Sequence, residues 1–249
     1  MDLTPPFRRL GEHIAIDLLG ARALFTTRRG GVSGGAYASL NLGWLTDDEL
    51  GNVDANRARV GDLVGIEPER FAQGRQVHEA RVRLRRRPPD PAEWPLDPAD
   101  GQATCLPGVA PIVLVADCLP VALAAPEAVA MLHCGWRGLA SGIVAEGIDA
   151  VRELGARGPI AAAIGPGAGP CCYEVGEDVH ERFAPYGPDV RRGRALDLKL
   201  VARRALAAQG VTDVHDVGLC TMCADPELFF SHRRDDGATG RQGGIVWRS

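Results

Sequence analysis

Residues 111–138 read PIVLVADCLPVALAAPEAVAMLHCGWRG. Two runs within this stretch, PIVLVAD (111–117) and AVAMLHC (128–134), are apolar without alternation, the pattern of strands covered on both faces. After the second, Gly135-Trp136-Arg137-Gly138 makes a turn, and LASGIVAEGIDAVREL (139–154) carries apolar residues at helical spacing. PIAAAIGPGAGP (159–170) reads as a further buried strand running into a Gly/Pro turn. Working outward, residues 13–27 predict two short strands joined around Gly20, and 52–64 a helix with Asn52 as its N-cap. Helices are expected at 176–184 and 197–209, and strands at 211–217 and 243–247. Residues 85–100, RRRPPDPAEWPLDPAD, hold five prolines among charges and predict an exposed loop without regular structure. Strands and helices mix without βαβ alternation, and neither an internal repeat nor a domain boundary is visible. The expected fold is α+β, with mixed β-sheets packed centrally and helices outside, in one domain over residues 1–249.

Composition narrows the chemistry. Hydrophobic residues make up 45% and charged residues 24%, the balance of an ordinary globular protein rather than a disordered or fibrous one. A formal net charge of -4 excludes a chain held to nucleic acid by phosphate contacts. Lys199 is the only lysine, so nearly all positive charge is arginine, which we attribute to coding bias. MDLTPPFRRLGEH lacks the apolar run of an export signal, and no stretch has the length of a membrane span. The expectation is therefore a cytoplasmic monomer in a reducing compartment, whose seven cysteines are core residues, metal ligands or catalytic thiols.

Three residues stand out at the ends of expected buried strands: His78 in GRQVHEARV, Cys118 in VLVADCLPV and His133 in AMLHCGWRG. One thiolate and two imidazoles are a zinc ligand set, and three protein ligands leave a fourth position open for water or substrate. Their wide spacing favours a preformed cleft over a local zinc finger. By alternation Asp117 should point away from Cys118 and serve a structural role. Cys220 and Cys223 form a C-x-x-C, but with no evident second pair they, Cys171 and Cys172 read as core. His13, His180, His215 and His232 have no supporting constellation, so surface or packing roles are the default. Arg233 and Arg234 stand beside Asp235 and Asp236, so pairing within the fold is as plausible for them as function.

The segments TTRRGGVSGGAYASLNLG, RQVH, ADCLPV, LHCGWRGLASGIV, IGPGAGPCCYEVGEDV and DPELFFSHRRDDGATGR resemble, in order, the motifs of one bacterial family. It is known variously as laccase-domain protein, polyphenol oxidase, peptidoglycan editing factor and purine nucleoside phosphorylase. The resemblance supports the α+β expectation and implies metal ligation by His78, Cys118 and His133, with Cys118 and His133 at the catalytic centre. Zinc is the implied metal and copper an alternative. It further implies phosphorolysis of adenosine, inosine and methylthioadenosine, with an adenosine deaminase side activity. Phosphate and nucleoside would then be held by Arg137 at the turn, by Arg28 beside the glycine-rich loop and by Asn41, while Arg29 is more simply solvated. The chain departs from the pattern at Glu79, where glycine is usual, at Cys134, often Ala or Val, and at Gly167, usually cysteine. Glu79 would crowd or acidify the metal site. Other readings remain: a Cys118–His133 thiol hydrolase or deamidase, copper-dependent phenol oxidation, and a non-catalytic role in cell-wall precursor quality control.

Overall fold

In a computed structural model of the chain, residues 1–93 and 96–249 are described. The strands and helices follow as β1 Arg8–Leu10, β2 His13–Leu18, β3 Ala21–Phe25, α1 Leu50–Val64, β4 Phe71–Ala72, β5 Val82–Arg85 and β6 Gly101–Thr104. Then come β7 Ala110–Val115, β8 Leu119–Ala124, β9 Val129–Cys134, α2 Trp136–Ala140, α3 Ile143–Glu153 and β10 Ala161–Ile164. The remainder is α4 Glu177–Phe183, β11 Arg191–Arg192, β12 Ala195–Leu196, α5 Leu198–Ala208, β13 Asp213–Asp216 and β14 Gln242–Arg248. Among the described residues, two six-stranded sheets carry the fold, in the orders β1-β2-β3-β14-β7-β4 and β13-β10-β8-β9-β6-β5. Both mix parallel and antiparallel pairs.

Side-chain parity along the strands explains the layering. On β8 and β9, Val121, Leu123, Ala130 and Leu132 pack with Ile143, Ile148 and Val151 of α3 and Val201 and Leu206 of α5. Their neighbours Ala122, Ala124, Val129 and Met131 face Ile14, Ile16, Phe25, Val113 and Val115 of the other sheet. The far side of that sheet, with Leu24, Ile112 and Ile245, is covered by Val60 of α1 and by Leu40 and Leu42. Helix, sheet, sheet and helices therefore stack in turn, and the unbroken apolar runs at 111–115 and 129–134 are strands with packing on both faces. Each such Val, Leu or Ile contributes about 1.5–3 kcal/mol through removal from water. The α+β expectation holds.

Local differences have physical causes. Helix α1 is capped by Glu49 in extended conformation, three residues before the expected Asn52 cap. The predicted helix over 139–154 divides at Gly142, whose left-handed φ of 88° separates α2 from α3. In the stretch 85–100, residues 86–90 are largely exposed without regular structure, as expected, but its ends are tied into the fold. Arg85 is buried and donates from Nε to Gln102 Oε1 at 2.8 Å and from its guanidinium to the Gln73 carbonyl at 3.0 Å. Glu93, in a 3-10 turn, pairs with Arg83 and Arg85 and ties this strap to β5. At the far end of the same stretch Ala99 and Asp100 are fully enclosed. Trp94 and Pro95, within the same expectation, lie outside the described residues.

His13, expected to sit at the surface or in packing, is buried at the start of β2, where its Nδ1 accepts from the Thr27 N–H at 3.2 Å. Burial pushes the imidazole down from 6.5 to about 4. Between those values the unfolded chain takes up a proton that the folded chain refuses, so stability is full above pH 6.5 and declines as pH falls toward 4. The expected loss is about 2–3 kcal/mol, and the urea midpoint of His13→Gln should be flatter across that window than that of wild type. Parallel slopes for the two proteins would refute this assignment.

Candidate metal centre and its cavity

His133 shares the parity of Val129 and Met131 and so points to the inter-sheet side of β9. Cys134 takes the opposite side and joins the core under the helices, where burial pushes its thiol well up. Cys118 immediately precedes β8, which pairs antiparallel with β9 so that Pro120 lies opposite His133 and Leu119 opposite Cys134. His78 sits not at a strand end, as the sequence suggested, but in a bend between β4 and β5 with φ of +63°. Left-handed backbone is unfavourable for a residue with a Cβ, so something must hold it.

That restraint is Asp100, which the sequence reading missed. Fully buried just before β6, its carboxylate accepts the N–H groups of Val77, His78 and Glu79 at 3.0, 2.9 and 2.9 Å. The same carboxylate meets His133 Nδ1 at 2.7 Å, while its own carbonyl accepts the His133 N–H at 2.7 Å. Engaging Nδ1 leaves Nε2 of His133 as the nitrogen available to the site. Gln76 fastens the segment from the other side by exchanging two side-chain hydrogen bonds with the backbone of Leu114, at 2.7 and 2.8 Å. One residue thus fixes both the loop that carries His78 and the ring of His133.

The donor atoms of His78, Cys118 and His133 all lie within 4.8 Å of one another. The two rings meet edge to face with centroids 4.8 Å apart. Burial raises the Cys118 thiol, but the two imidazoles outweigh it and bring the thiol down to about 6. Burial lowers His133 in turn, and the Cys118 thiolate and Asp100 override it, lifting the imidazole to about 9. A thiolate and two imidazoles with one side facing a cavity fit a borderline divalent cation such as zinc. The fit is tight on the protein side. A Cβ at Gly135 would come within 2.9 Å of Cys118 Sγ and 3.4 Å of His78 Cδ2.

The centre forms one end of a cavity of about 540 Å³. Trp44, Trp136 and Tyr173 supply aromatic walls, and Arg137, Arg233 and Arg241 line it together with His232. Burial pushes the Tyr173 phenol up to about 12, so the hydroxyl keeps its proton near neutral pH. Arg137 stacks on Trp136 at 4.4 Å and Arg233 on Tyr173 at 4.7 Å, which fixes the planes of both guanidinium groups. Arg241 is partly enclosed and donates to the carbonyls of Thr239 and Gly240.

Other residues singled out in the sequence take supporting positions. Arg28 and Asn41 are outside the cavity lining. Arg28 donates to the Ala38 and Pro226 carbonyls and stacks on Phe230, and Asn41 accepts from Gly43 and Arg241 N–H groups, anchoring two residues of the cavity wall. Arg29 pairs with Glu12 and Asp225 at the surface. Arg234 takes the internal pairing, with Asp235, whereas Arg233 faces the cavity. Asp117 has the structural role expected but not through strand alternation. It turns at φ of 88° and accepts from Thr221 Oγ1, Ser231 Oγ and the Arg233 N–H at 2.7, 3.0 and 2.8 Å. Glu79 is exposed and does not line the cavity. His232 is exposed, as expected, and also forms part of the wall.

Residues 22–249 match the family described as multi-copper polyphenol oxidoreductase laccase. The chain belongs to this family. It is 40% identical to a protein of Deinococcus radiodurans named purine nucleoside phosphorylase, over 89% of this chain and 87% of that one. It is 37% identical to the purine nucleoside phosphorylase YlmD of Geobacillus stearothermophilus, over 92% of this chain and 90% of that one. The crystal structure of Bacillus licheniformis hypothetical protein YfiH superposes with a TM-score of 0.89 at 30% identity, covering 99% of this chain and all of that one. No helix among the described residues is long and apolar enough to cross a membrane.

Proposed function

We propose that residues 1–249 form one domain that acts as a metal-dependent purine nucleoside phosphorylase, with zinc at His78, Cys118 and His133. The carrying observation is the joining, in one cavity, of two imidazoles and a thiol able to hold a metal, three arginines and three aromatic walls. The names of the relatives supply the substrate class. A nucleoside needs a stacking surface for its base, and phosphate needs planar cationic donors, so Trp44, Trp136 and Tyr173 serve the first and Arg137, Arg233 and Arg241 the second. When bound, the metal supplies Lewis-acid polarisation of a substrate group or activates a water, and the latter suits deamination at purine C6. Asp100 keeps the Nδ1 side of His133 engaged, and the protonated Tyr173 phenol offers a donor to the cavity. The substrates are adenosine, inosine and methylthioadenosine, with adenosine deamination as a side reaction, and the working state is a monomer in the cytoplasm.

Zinc-loaded protein should release free base and ribose 1-phosphate from adenosine or inosine only when phosphate is supplied. Absence of base release under those conditions defeats the proposal. Arg137→Met should raise the KM for phosphate about tenfold to a hundredfold, the value of one or two charge-assisted hydrogen bonds, at unchanged metal content. An unaltered KM for phosphate would remove Arg137 from that role.

A second reading has its own support. The lowered Cys118 thiol beside the raised His133 imidazole is a thiolate–imidazolium pair, the arrangement of thiol hydrolases. Metal-free protein that hydrolyses amides, and loses that activity on alkylation of Cys118, would favour it.

A further inference from the structure

The four cysteines expected to lie in the core do not. Cys171 and Cys223 are exposed and Cys172 and Cys220 half-buried, all of them free thiols. Their sulfurs converge so that all four lie within 4.8 Å of one another. The separations are 3.0 Å for Cys172–Cys223, 3.2 Å for Cys171–Cys223, 3.5 Å for Cys172–Cys220 and 3.6 Å for Cys171–Cys172. A zinc–sulfur bond of about 2.3 Å sets tetrahedral sulfurs roughly 3.8 Å apart, so the cluster needs only a small expansion to enclose an ion.

The backbone brings the two halves together. Parallel pairing of β10 with β13 runs both chains out of the sheet side by side. Beyond the strands, Gly167 bridges Cys220, with Gly167 N–H donating to the Leu219 carbonyl and Thr221 N–H donating to Gly167. The Gly169 N–H donates to Cys220 Sγ at 3.2 Å, a contact that favours a thiolate. Cys171-Cys172 is the second pair that the C-x-x-C lacked in sequence, and the exposed edge gives an ion a way in.

We propose that Cys171, Cys172, Cys220 and Cys223 form a second, structural metal site that takes zinc. It is separate from the His78–Cys118–His133 centre and stands whether or not the phosphorylase reading does. Binding displaces the thiol protons to solvent and leaves four sulfurs on one cation, a closed set with no open position. Its place in the fold gives it a task. Tyr173 follows Cys172 directly and lines the cavity, and Thr221 follows Cys220 and donates to Asp117. The ion would clamp the loop bearing Tyr173 to the segment that steadies Asp117.

The test is zinc content of full-length protein from zinc-supplemented growth. We expect about two zinc ions per chain in wild type and about one in each of His78→Ala and Cys220→Ser/Cys223→Ser. Loss with the cysteine variant but none with His78→Ala would uphold the clamp and sink the catalytic metal. Because the cysteine variant could misfold, alkylation mapping of His78→Ala gives a second measure. All four thiols should resist iodoacetamide until a chelator is added and then react together. A cysteine variant with the zinc content of wild type overturns the proposal. So does a metal-loaded protein whose four thiols alkylate at once, or a non-reduced chain lighter by two hydrogens through a Cys172–Cys223 disulfide.

Discussion

Cys118→Ser and His78→Ala should each lower nucleoside phosphorolysis by about a thousandfold or more in kcat/KM, with metal at the centre falling to a small fraction of one ion. In the proposed centre three ligands would share one cation, and loss of either leaves two donors, too few to hold it against water. Lewis-acid assistance is worth several kcal/mol, and about 4 kcal/mol is a thousandfold in rate. Cys118→Ser keeps the volume, and the hydroxyl is a poor substitute for a thiolate whose charge two imidazoles sustain. Folding should survive, since the core around β8 and β9 is unchanged. Inductively coupled plasma mass spectrometry with steady-state assays reads both quantities. A Cys118→Ser enzyme that has lost its ion yet retains full kcat/KM would show that the metal is not used in the reaction.

The second large effect belongs to Asp100→Ala. Removal of the carboxylate strands three half-buried backbone N–H groups and the Nδ1 proton of the buried His133. Uncompensated buried donors cost about 1–3 kcal/mol each, and partial relaxation brings the expected loss to about 3–5 kcal/mol. For a domain of this size that is a fall in Tm of roughly 10 °C. The bend at His78 also loses the contact that holds its left-handed backbone, so zinc affinity should fall by about tenfold to a hundredfold, the usual effect of removing a ligand's supporting hydrogen bond. Asp100→Asn separates the two roles. Its amide fills the same space but accepts on one oxygen only, so stability should recover substantially while zinc affinity stays low. Calorimetry and competition with a zinc chelator measure the pair, and wild-type zinc affinity in Asp100→Asn would deny Asp100 its positioning role.

Asp100 also shows where sequence reading stops. His133 was legible because it ends an apolar run whose parity survives into the structure, and Cys118 because it directly follows the apolar run 111–117. Asp100 lies in a stretch dense in proline and charge, which reads as solvated; only its place just before Gly101–Thr104 distinguished it, and that short strand carries no periodic signal. The four cysteines were misread for a related cause. Cys171-Cys172 and Cys220–Cys223 look unrelated along the chain, and only the parallel pairing of β10 with β13 makes them neighbours. Arg28 and Asn41, chosen beside a glycine-rich loop, spend their donors and acceptors within the fold: Arg28 on the Ala38 and Pro226 carbonyls, and Asn41 on the Gly43 and Arg241 N–H groups and the Thr46 and Asp48 side chains. His232 and Arg241 reach the cavity because the segment before β14 returns across it, a long-range placement that no local pattern encodes.

The position of β14 has a consequence for how the molecule comes into being. In the order β1-β2-β3-β14-β7-β4, the latest of the described strands to be synthesised lies between strands made long before it. Residues 21–25 and 110–115 therefore wait on the ribosome with unpaired edges until residues 242–248 emerge to bridge them. Closure of so wide a loop delays folding, and apolar edges left open in the interval invite pairing with other chains. Pairing through those open edges, rather than the strength of the finished core, should therefore limit the yield of folded protein.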